Sequence, residues 1–269
     1  MGCTASQLPP VNEPDFCAAA HLNTKDSFFF LDAKRCILMK RKHHTLQSDA
    51  EDGYENNLRI CELPGHAHIL RPLKVERTGS YGFEVRMPYA RMDLFGWTTE
   101  RFDCAATLQK MNGVRDAIHW LHDHGVAHRD VKPENIVIRD GRFQLIDFDF
   151  SYPSSQFVPC GTRYYMCARQ HFQSWTCSPE ESSRRMDVYA FGKTLLFILV
   201  RASDLNLIPK RRELFNIFHE SSLDHYHGSA SCTMAPWFTL IHTCCSAFPP
   251  LEIPSLPVGQ DAHRLQQTV

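Results

Sequence analysis

The sequence predicts an α+β protein that joins a small antiparallel sheet to a larger, mainly helical part. In its first third, short apolar runs alternate with polar turns, which is typical of antiparallel strands. Later, one segment repeats apolar residues at helical spacing and another is apolar on nearly every face, which indicates buried helices. A chain of 269 residues is long enough to bury one large core or to divide into two lobes.

The composition narrows the class of protein and its surroundings. Apolar residues make up 43% of the chain and charged residues 22%, as in ordinary soluble globular proteins. The net charge of −1 gives no support to a nucleic-acid-binding surface, so we expect no nucleic-acid partner. The eleven cysteines form no C-x-x-C pair and no secretory signal precedes them, so we expect reduced thiols in a cytoplasmic protein.

Residues 1–15 predict a flexible leader, because three prolines occur there among few apolar residues. The first six residues fit the pattern M-G-x-x-x-[ST] for myristoylation of Gly2, and Cys3 stands where a palmitoyl group is often added. Two acyl chains bind membranes stably, whereas one binds marginally. The pattern raises the hypothesis of membrane association through Gly2 and Cys3, against the alternative of an incidental match.

In the first part of the chain, residues 27–31 and 36–40 are apolar runs around a polar turn and predict a hairpin. Residues 73–75 and 82–87 predict two further strands of the same sheet. In the second part, a helix that Gly125 ends is predicted from seven apolar residues at helical spacing: Phe102, Ala105, Leu108, Met111, Val114, Ile118 and Leu121.

Beyond this helix the pattern predicts a short strand at residues 126–127 and a hairpin formed by residues 136–138 and 143–146. Residues 187–200 predict a helix that is buried on all sides. Two shorter helices and a loose tail follow, at residues 213–218, 236–246 and 256–269.

The loop at residues 128–135 carries an acid, a cation and an amide at fixed offsets. Asp130 can accept the proton of an attacking hydroxyl, and Lys132 can neutralise charge on a moving phosphoryl group. The carbonyl oxygen of Asn135 can ligate Mg²⁺. This set suits phosphoryl transfer, and the alternative is a surface loop that is polar by chance.

The loop resembles the H-R-D-x-K-x-x-N catalytic loop of the eukaryotic protein kinase family, Ser/Thr type. Residues 147–149 are similar to the D-F-G motif, and residues 161–166 to the segment G-T-x-x-Y-M. The resemblance implies a two-lobed kinase fold over residues 16–255, with a small sheet lobe at 16–88 and a large helical lobe at 89–255.

The same resemblance implies transfer of the γ-phosphoryl group of ATP to Ser or Thr hydroxyls of a protein substrate. Asp130 and Lys132 would be the catalytic residues. Asn135 and Asp147 would bind the cofactor and ligate Mg²⁺.

Four further positions are implied to bind the nucleotide. Lys40 occupies the place of the lysine in V-A-I-K, which holds the α- and β-phosphates, although it could be an ordinary lysine at a strand end. Residues 87–90 resemble the hinge between the lobes. Met87 stands at the gatekeeper position, the Pro88 carbonyl would meet the adenine amino group, and the Ala90 N–H would meet the ring nitrogen.

The sheet lobe departs from the family pattern at two places. No glycine occurs between Gly2 and Gly53, although a glycine-rich phosphate loop is expected before Lys40, around residues 18–23. In the helix expected at residues 49–61, Asn57 stands where a glutamate would pair with that lysine. Either Glu55 serves after a local shift, or the ion pair is missing.

The helical lobe departs as well. Asp149 replaces the glycine of D-F-G, and we expect it to adopt an unusual φ at some cost. A solvated carboxylate is the simpler interpretation, and the alternative is that Asp149 adds charge near the metal. Residues 167–169 replace A-P-E, and Ile253 replaces the arginine that pairs with its glutamate, so both partners of a buried ion pair are lost together.

Some side chains keep open interpretations. Candidate phosphorylation sites near the catalytic loop are Ser151, Ser154, Ser155 and Thr162. We expect His122 and His124 to be solvated near a helix end and His128 to lie in a loop, rather than any of them to bind a metal.

We interpret the chain as an active Ser/Thr protein kinase that uses ATP and Mg²⁺. The alternative is a pseudokinase that acts as an interaction scaffold, with or without nucleotide binding, and the departures in the sheet lobe and at Asp149 favour it. A third hypothesis, a phosphotransferase for small molecules, is weaker because such enzymes do not resemble this chain at residues 128–130 and 161–162.

Overall fold

The computed structural model describes residues 16–19, 22–99, 102–151, 160–167, 176–206, 235–246 and 248–257. The chain divides into two compact units, Met1–Glu62 with Arg71–Tyr89 and Leu63–Leu70 with Ala90–Val269. The first unit holds a five-stranded antiparallel sheet and one long helix, and the second is mostly helical. The predicted two-lobed α+β fold is confirmed. The leader with Gly2 and Cys3, the helix at 213–218 and the tail from residue 258 lie outside the described residues.

The sheet of the first unit has the strand order β1-β2-β3-β5-β4. Its strands are β1 (Cys17–Ala18), β2 (Ser27–Asp32), β3 (Ile37–His43), β4 (Lys74–Arg77) and β5 (Gly82–Pro88). The predicted hairpin and the two later strands are confirmed. Phe83, Val85 and Met87 alternate along β5 and therefore lie on one face of the sheet, where they form a buried hydrophobic core.

Helix α1 (Gln47–Glu62) packs on β4 and β5 and contributes Tyr54 to that core. Gly53 sets how closely the helix approaches the sheet, because a Cβ there would lie 2.6 Å from Phe83 Cε1. The buried side of α1 consists of Ala50, Gly53, Asn56, Asn57 and Ile60.

The second unit is built on two long helices, α3 (Cys104–Asp123) and α4 (Pro179–Asp204). They follow a one-turn helix, α2 (Leu94–Trp97), and precede α5 (Ala235–Cys244), which packs on α4. The predicted apolar stripe of α3 is buried throughout. Helix α4 begins well before residue 187, because Ser178 and Glu181 form a capping box and Pro179 occupies the first helical position.

The predicted strand at residues 126–127 is wrong. Gly125 has a φ of +71°, and the N–H of Val126 donates to the carbonyl of Leu121 at 2.9 Å, so the chain leaves α3 through a turn that ends the helix. Val126 and Ala127 are buried, and their apolar character reflects that burial rather than pairing in a sheet.

A small sheet in the order β6-β7-β8 flanks these helices. Its strands are β6 (Met92–Asp93), β7 (Ile136–Arg139) and β8 (Arg142–Leu145). The predicted hairpin is confirmed, and positive φ angles at Asp140 and Gly141 suit its two-residue turn. In the part of the chain that the structure describes, no helix is both long and apolar enough to cross a membrane.

Candidate active site

The carboxylate of Asp130 lies at the centre of the site and accepts four hydrogen bonds. Its Oδ2 accepts from Lys132 Nζ at 2.8 Å and from Asn135 Nδ2 at 3.0 Å. Its Oδ1 accepts from the backbone N–H of Thr162 at 2.8 Å and from the Thr162 hydroxyl at 2.9 Å. Burial raises the pKa of Asp130, but the Lys132 ammonium and the hydrogen bonds from Lys132 and Thr162 outweigh it and hold the pKa below its ordinary value.

Lys132 connects Asp130 to Thr162. Its Nζ lies 2.8 Å from Asp130 Oδ2 and 2.7 Å from Thr162 Oγ1. Because an ammonium group only donates, the Thr162 oxygen accepts this bond and directs its own proton to Asp130. The structure therefore brings together the side chains of Asp130, Lys132 and Thr162.

Gly161 allows this contact. Its φ is +116°, and a Cβ there would lie 2.5 Å from the carbonyl oxygen of Arg129. Any other residue would be strained and would push the backbone away from the catalytic loop. Glycine at this position is thus what lets Thr162 reach Asp130.

Asn135 is fixed by a 3₁₀ turn over Pro133–Asn135, and its side chain is buried. Its Nδ2 donates to the backbone carbonyl of Asp130 at 2.9 Å as well as to the carboxylate. Both amide protons are therefore directed at Asp130. The amide oxygen, a hard ligand that suits Mg²⁺, is the atom that remains for a metal.

The backbone of Ile146, directly before Asp147, is hydrogen-bonded to Asn135. The N–H of Ile146 donates to the carbonyl of Asn135 at 3.0 Å, and the Ile146 carbonyl lies 3.0 Å from Nε2 of the buried His128. Asp147 itself is half-buried and has a φ of +66°, a conformation that costs energy for a residue other than glycine. Among the described residues, no cluster of three His, Cys, Asp or Glu side chains could hold a metal ion.

The expectation for Asp149 is wrong on both counts. Its side chain is buried, with a relative exposure of 4%. The N–H of Ser151 donates to the carbonyl of Phe148 at 3.1 Å, which closes a turn with Asp149 at its second position. That position takes a φ of about −60° in the common turn types. The unusual φ of the D-F-D triplet lies at Asp147 instead.

The backbone of the catalytic loop is anchored by Asp187 of α4. The Asp187 carboxylate accepts the N–H groups of His128 and Arg129 at 2.7 and 2.6 Å, and His122 Nε2 lies 2.9 Å from it. His122 is 3% exposed, so the expectation that it is solvated is wrong. Helical spacing could have predicted the burial of His122, because His122 follows Ile118 by one turn on the buried side of α3.

The other residues expected to bind nucleotide belong mainly to the first unit. Lys40 on β3 is 5% exposed and pairs with Val85, so its side chain lies on the same face as the hydrophobic core. Met87 and Pro88 end β5. Ala90 belongs to the second unit and is half-buried.

On the same face of the sheet, α1 presents amides and not carboxylates. Asn57 is 2% exposed and its Nδ2 donates to the carbonyl of Gly53 at 2.8 Å. Glu55 is exposed. Along α1, which the structure describes throughout, the buried polar side chains are Asn56 and Asn57. Glu55 thus lies on the exposed side of α1, which does not favour its shift towards the sheet.

Two of the candidate phosphorylation sites are already engaged. Ser151 is 1% exposed, and its hydroxyl donates to the carbonyl of His128 at 3.4 Å. Thr162 is held by Asp130 and Lys132 as described above. Ser154 and Ser155 lie outside the described residues.

The position expected for a buried arginine is occupied by a buried apolar side chain. Ile253 is 3% exposed, and its N–H donates to Nε2 of His119 at 3.0 Å. Nearby, the guanidinium of Arg185 donates to the carbonyl of Pro249 and lies 3.9 Å from the centroid of the Phe248 ring. Cys167 is buried, whereas residues 168–169 lie outside the described part.

The two-part α+β fold and the Asp130–Lys132–Asn135 arrangement agree with the resemblance that the sequence carries. Residues 31–240 match the family described as "Protein kinase domain". This match covers more than half of the chain, and the chain belongs to the protein kinase family.

Several curated proteins are similar over part of their length. The liver/testis isoform of the phosphorylase b kinase gamma catalytic chain from Bos taurus is 29% identical over 155 residues, which cover 54% of this chain and 37% of that protein. The dual specificity protein kinase TTK from Mus musculus is 28% identical over 194 residues, or 64% of this chain and 22% of that protein. MAP kinase-activated protein kinase 2 from Cricetulus longicaudatus is 30% identical over 120 residues, or 40% of this chain and 34% of that protein. The chain thus matches well under half the length of each relative.

Proposed function

We propose that this protein kinase transfers the γ-phosphoryl group of Mg²⁺-bound ATP to Ser or Thr hydroxyls of a protein substrate. The observation that carries the proposal is the network in which Asp130 accepts hydrogen bonds from Lys132, Asn135 and Thr162. The lowered pKa keeps the Asp130 carboxylate ionised. Held between an ammonium group and an amide, this carboxylate can orient a hydroxyl and accept its proton as the phosphoryl group is transferred.

In this proposal Asp130 orients the substrate hydroxyl and accepts its proton. The hydroxyl oxygen bonds to the γ-phosphorus as the bond to the β-phosphate oxygen breaks and ADP leaves. Lys132, with a side chain 19% exposed, stabilises the negative charge on the transferred group. A Ser or Thr substrate is favoured because Lys132 follows Asp130 by two positions, as in the Ser/Thr type of the family.

The proposed cofactor is ATP with Mg²⁺. When bound, Mg²⁺ neutralises phosphate charge and orients the phosphates for in-line transfer. The amide oxygen of Asn135 and the carboxylate of Asp147 fit this ion, because Mg²⁺ prefers hard oxygen ligands and usually takes few of them from the protein. Lys40 would hold the α- and β-phosphates, and Met87, Pro88 and Ala90 would contact the adenine ring.

The second candidate function is a pseudokinase scaffold. The buried amide of Asn57, in place of a carboxylate near Lys40, favours it, as does the lack of glycine between Gly2 and Gly53. Both features would weaken the hold on the phosphates.

Nucleotide binding is the first requirement of the proposed activity, and it is measured first. We would measure thermal stability with Mg²⁺ and ATP together, with ATP alone and with Mg²⁺ alone, on the wild type and on Asp147→Asn. A ligand at about a hundred times its dissociation constant adds about 2.7 kcal/mol of stability. The proposal expects a shift that requires both ligands and is lost in Asp147→Asn. No shift at millimolar nucleotide would contradict it and would leave the scaffold.

Activity is then tested by autophosphorylation with labelled ATP. Asp130→Asn is the control, because it keeps the shape of the side chain and removes the base. Equal incorporation by Asp130→Asn and wild type would mean that a contaminating kinase is responsible.

Localisation is also a proposal: a cytoplasmic protein that acylation of Gly2 and Cys3 holds at membranes.

A further inference from the structure

Residues 63–70, here called the strap, lead from α1 to β4 but group with the second unit. The strap lies along the free edge of β8. The N–H of Leu70 donates to the carbonyl of Leu145 at 2.9 Å, and the N–H of Leu145 donates to the carbonyl of His68 at 2.9 Å. Gln144 Nε2 adds a bond to the carbonyl of Ala67 at 2.9 Å. The strap therefore extends the β6-β7-β8 sheet by one extended segment.

His68 fastens the middle of the strap. Its Nδ1 lies 2.8 Å from the carbonyl of Phe143 and must donate to it, because a carbonyl oxygen only accepts. The ring packs directly on Gly113 of α3, where any Cβ would clash with it. The strap thus has one histidine wedged between β8 and α3.

His66 closes the turn that places His68. The backbone N–H of His68 donates to Nδ1 of His66 at 3.2 Å, and the N–H of Ile69 donates to the carbonyl of His66 at 3.1 Å. The His66 ring stacks on Trp120 of α3, with centroids 5.5 Å apart, and the tilted ring of His124 contacts Trp120 with centroids 4.0 Å apart. An imidazolium carries a proton on both nitrogens and cannot accept the bond from His68.

The groups around His66 oppose its protonation on balance. Burial lowers the pKa of His66, and His68 on the strap lowers it further, whereas Asp116 on α3 raises it. Arg115 donates to the Asp116 carboxylate at 2.9 Å and so offsets part of that negative charge. His124, at the far side of Trp120, is the remaining titratable group of the stack.

We propose that His66 is a pH-sensitive clip that holds the strap on β8 when neutral and loosens it when protonated. The sign follows from the lowered pKa. The unfolded chain binds the proton more readily than the folded one, so the contribution of His66 is complete above its unfolded pKa and is lost as the pH falls through and below that value.

The position of the strap gives the clip a consequence for the site. The strap pairs with Gln144 and Leu145, and the next residues along the chain are Ile146 and Asp147. It also follows α1 directly. An acid-loosened strap would therefore relax the segment that carries the proposed metal ligand, and this consequence rests on the proposed function, whereas the clip itself does not.

The test is hydrogen exchange of the full chain at about pH 7.5 and about pH 5.5, expressed as protection factors so that intrinsic pH effects cancel. The amides to follow are those of His68, Leu70 and Leu145. In the wild type their protection should fall at least about threefold at the lower pH, beyond any change at amides in the core of α4.

Two variants of His66 give opposite expectations. In His66→Asn the side-chain oxygen can accept the N–H two residues on, as asparagine does in turns, without titrating. It should retain protection at both pH values, whereas His66→Ala should show the low protection at both. His43→Gln, which removes an exposed histidine of β3, should behave as the wild type. Equal acid loss of protection in wild type and His66→Asn would overturn the proposal, and so would unchanged protection in the wild type.

Discussion

The hydroxyl and the backbone N–H of Thr162 both donate to the same oxygen of Asp130, at 2.9 and 2.8 Å. The segment that contains Thr162 is separated from the catalytic loop in the sequence. The hydrogen bonding of the Asp130 carboxylate therefore depends on where that segment lies. Lys132 completes the arrangement by donating to both residues.

We predict that Thr162→Ala lowers the phosphoryl-transfer rate about tenfold or more, because loss of a hydrogen bond to a charged group costs about 1.5–3 kcal/mol. Thr162→Ser keeps the hydroxyl and should retain most of the activity. The measurement is initial-rate transfer from labelled ATP to a protein or peptide substrate. Equal losses in the two variants would contradict a role of the hydroxyl.

A second prediction concerns the buried amide of Asn57. In Asn57→Glu the new carboxylate would be buried on the face of the sheet that also carries Lys40. We expect the stability of Asn57→Glu to depend on the Lys40 ammonium. Combining Asn57→Glu with Lys40→Met should cost about 1–3 kcal/mol more than the sum of the single changes, since a buried charge would lose its partner.

The measurement is urea unfolding of the wild type, both single variants and the double variant. Asn57→Gln with Lys40→Met is the matched control, because glutamine has the size of glutamate without its charge. Additive free energies of unfolding in the Glu series would mean that position 57 and Lys40 do not interact.

The sequence predicted the strands and helices whose apolar residues repeat with the period of a strand or a helix. It did not predict the burial of polar side chains that depends on residues distant in the chain. The strands of the first unit and the helix α3 follow directly from alternation and helical spacing. Asp149 and His122 were expected to be solvated because charged side chains usually are. Their burial depends on a turn at residues 148–151 and on Asp187, which lies 65 positions after His122.

The catalytic loop was predictable because its residues act over short offsets. Asp130, Lys132 and Asn135 span six positions and meet through one 3₁₀ turn. The carboxylate that would pair with Lys40 was not predictable in the same way, because spacing alone left Glu55 and a missing carboxylate as alternatives. The structure places Glu55 on the exposed side of α1 and Asn57 on its buried side.

A third prediction concerns acid stability. Nε2 of His119 accepts the N–H of Ile253, and burial, then His122 and Arg115, lower the pKa of His119. The folded state therefore favours neutral His119, and the stability that it contributes is present above the unfolded pKa of about 6.5 and is lost as the pH falls below it. The free energy of unfolding of the wild type should decrease between about pH 7.5 and about pH 5.5.

His119→Gln should weaken this decrease, because glutamine does not titrate. The measurement is urea unfolding at both pH values, with His124→Gln, an exposed histidine near the end of α3, as the control. An unchanged pH dependence in His119→Gln would contradict the assignment.

A fourth prediction concerns membrane association. If Gly2 is myristoylated and Cys3 palmitoylated, Gly2→Ala should release the protein from the membrane fraction of cells, and Cys3→Ser should leave weak, reversible binding, because one acyl chain binds only marginally. The measurement is fractionation of cells that express the full chain without a tag at its N-terminus. Ser6→Ala tests the last position of the pattern, and equal distribution of Gly2→Ala and wild type would rule out the acylation.

The last prediction concerns Gly161, whose φ of +116° and close approach to the Arg129 carbonyl bring Thr162 to Asp130. Gly161→Ala should lower the transfer rate at least about tenfold, since the displaced segment would lose both hydrogen bonds to Asp130. Gly125→Ala is the matched control: Gly125 also has a positive φ, +71°, but open space around its Cα, so it should lose only about 1 kcal/mol of stability and keep its activity. An equal loss of activity in the two variants would show that backbone strain, and not the contact with the catalytic loop, accounts for the effect of Gly161. Full activity in Gly161→Ala would contradict the prediction.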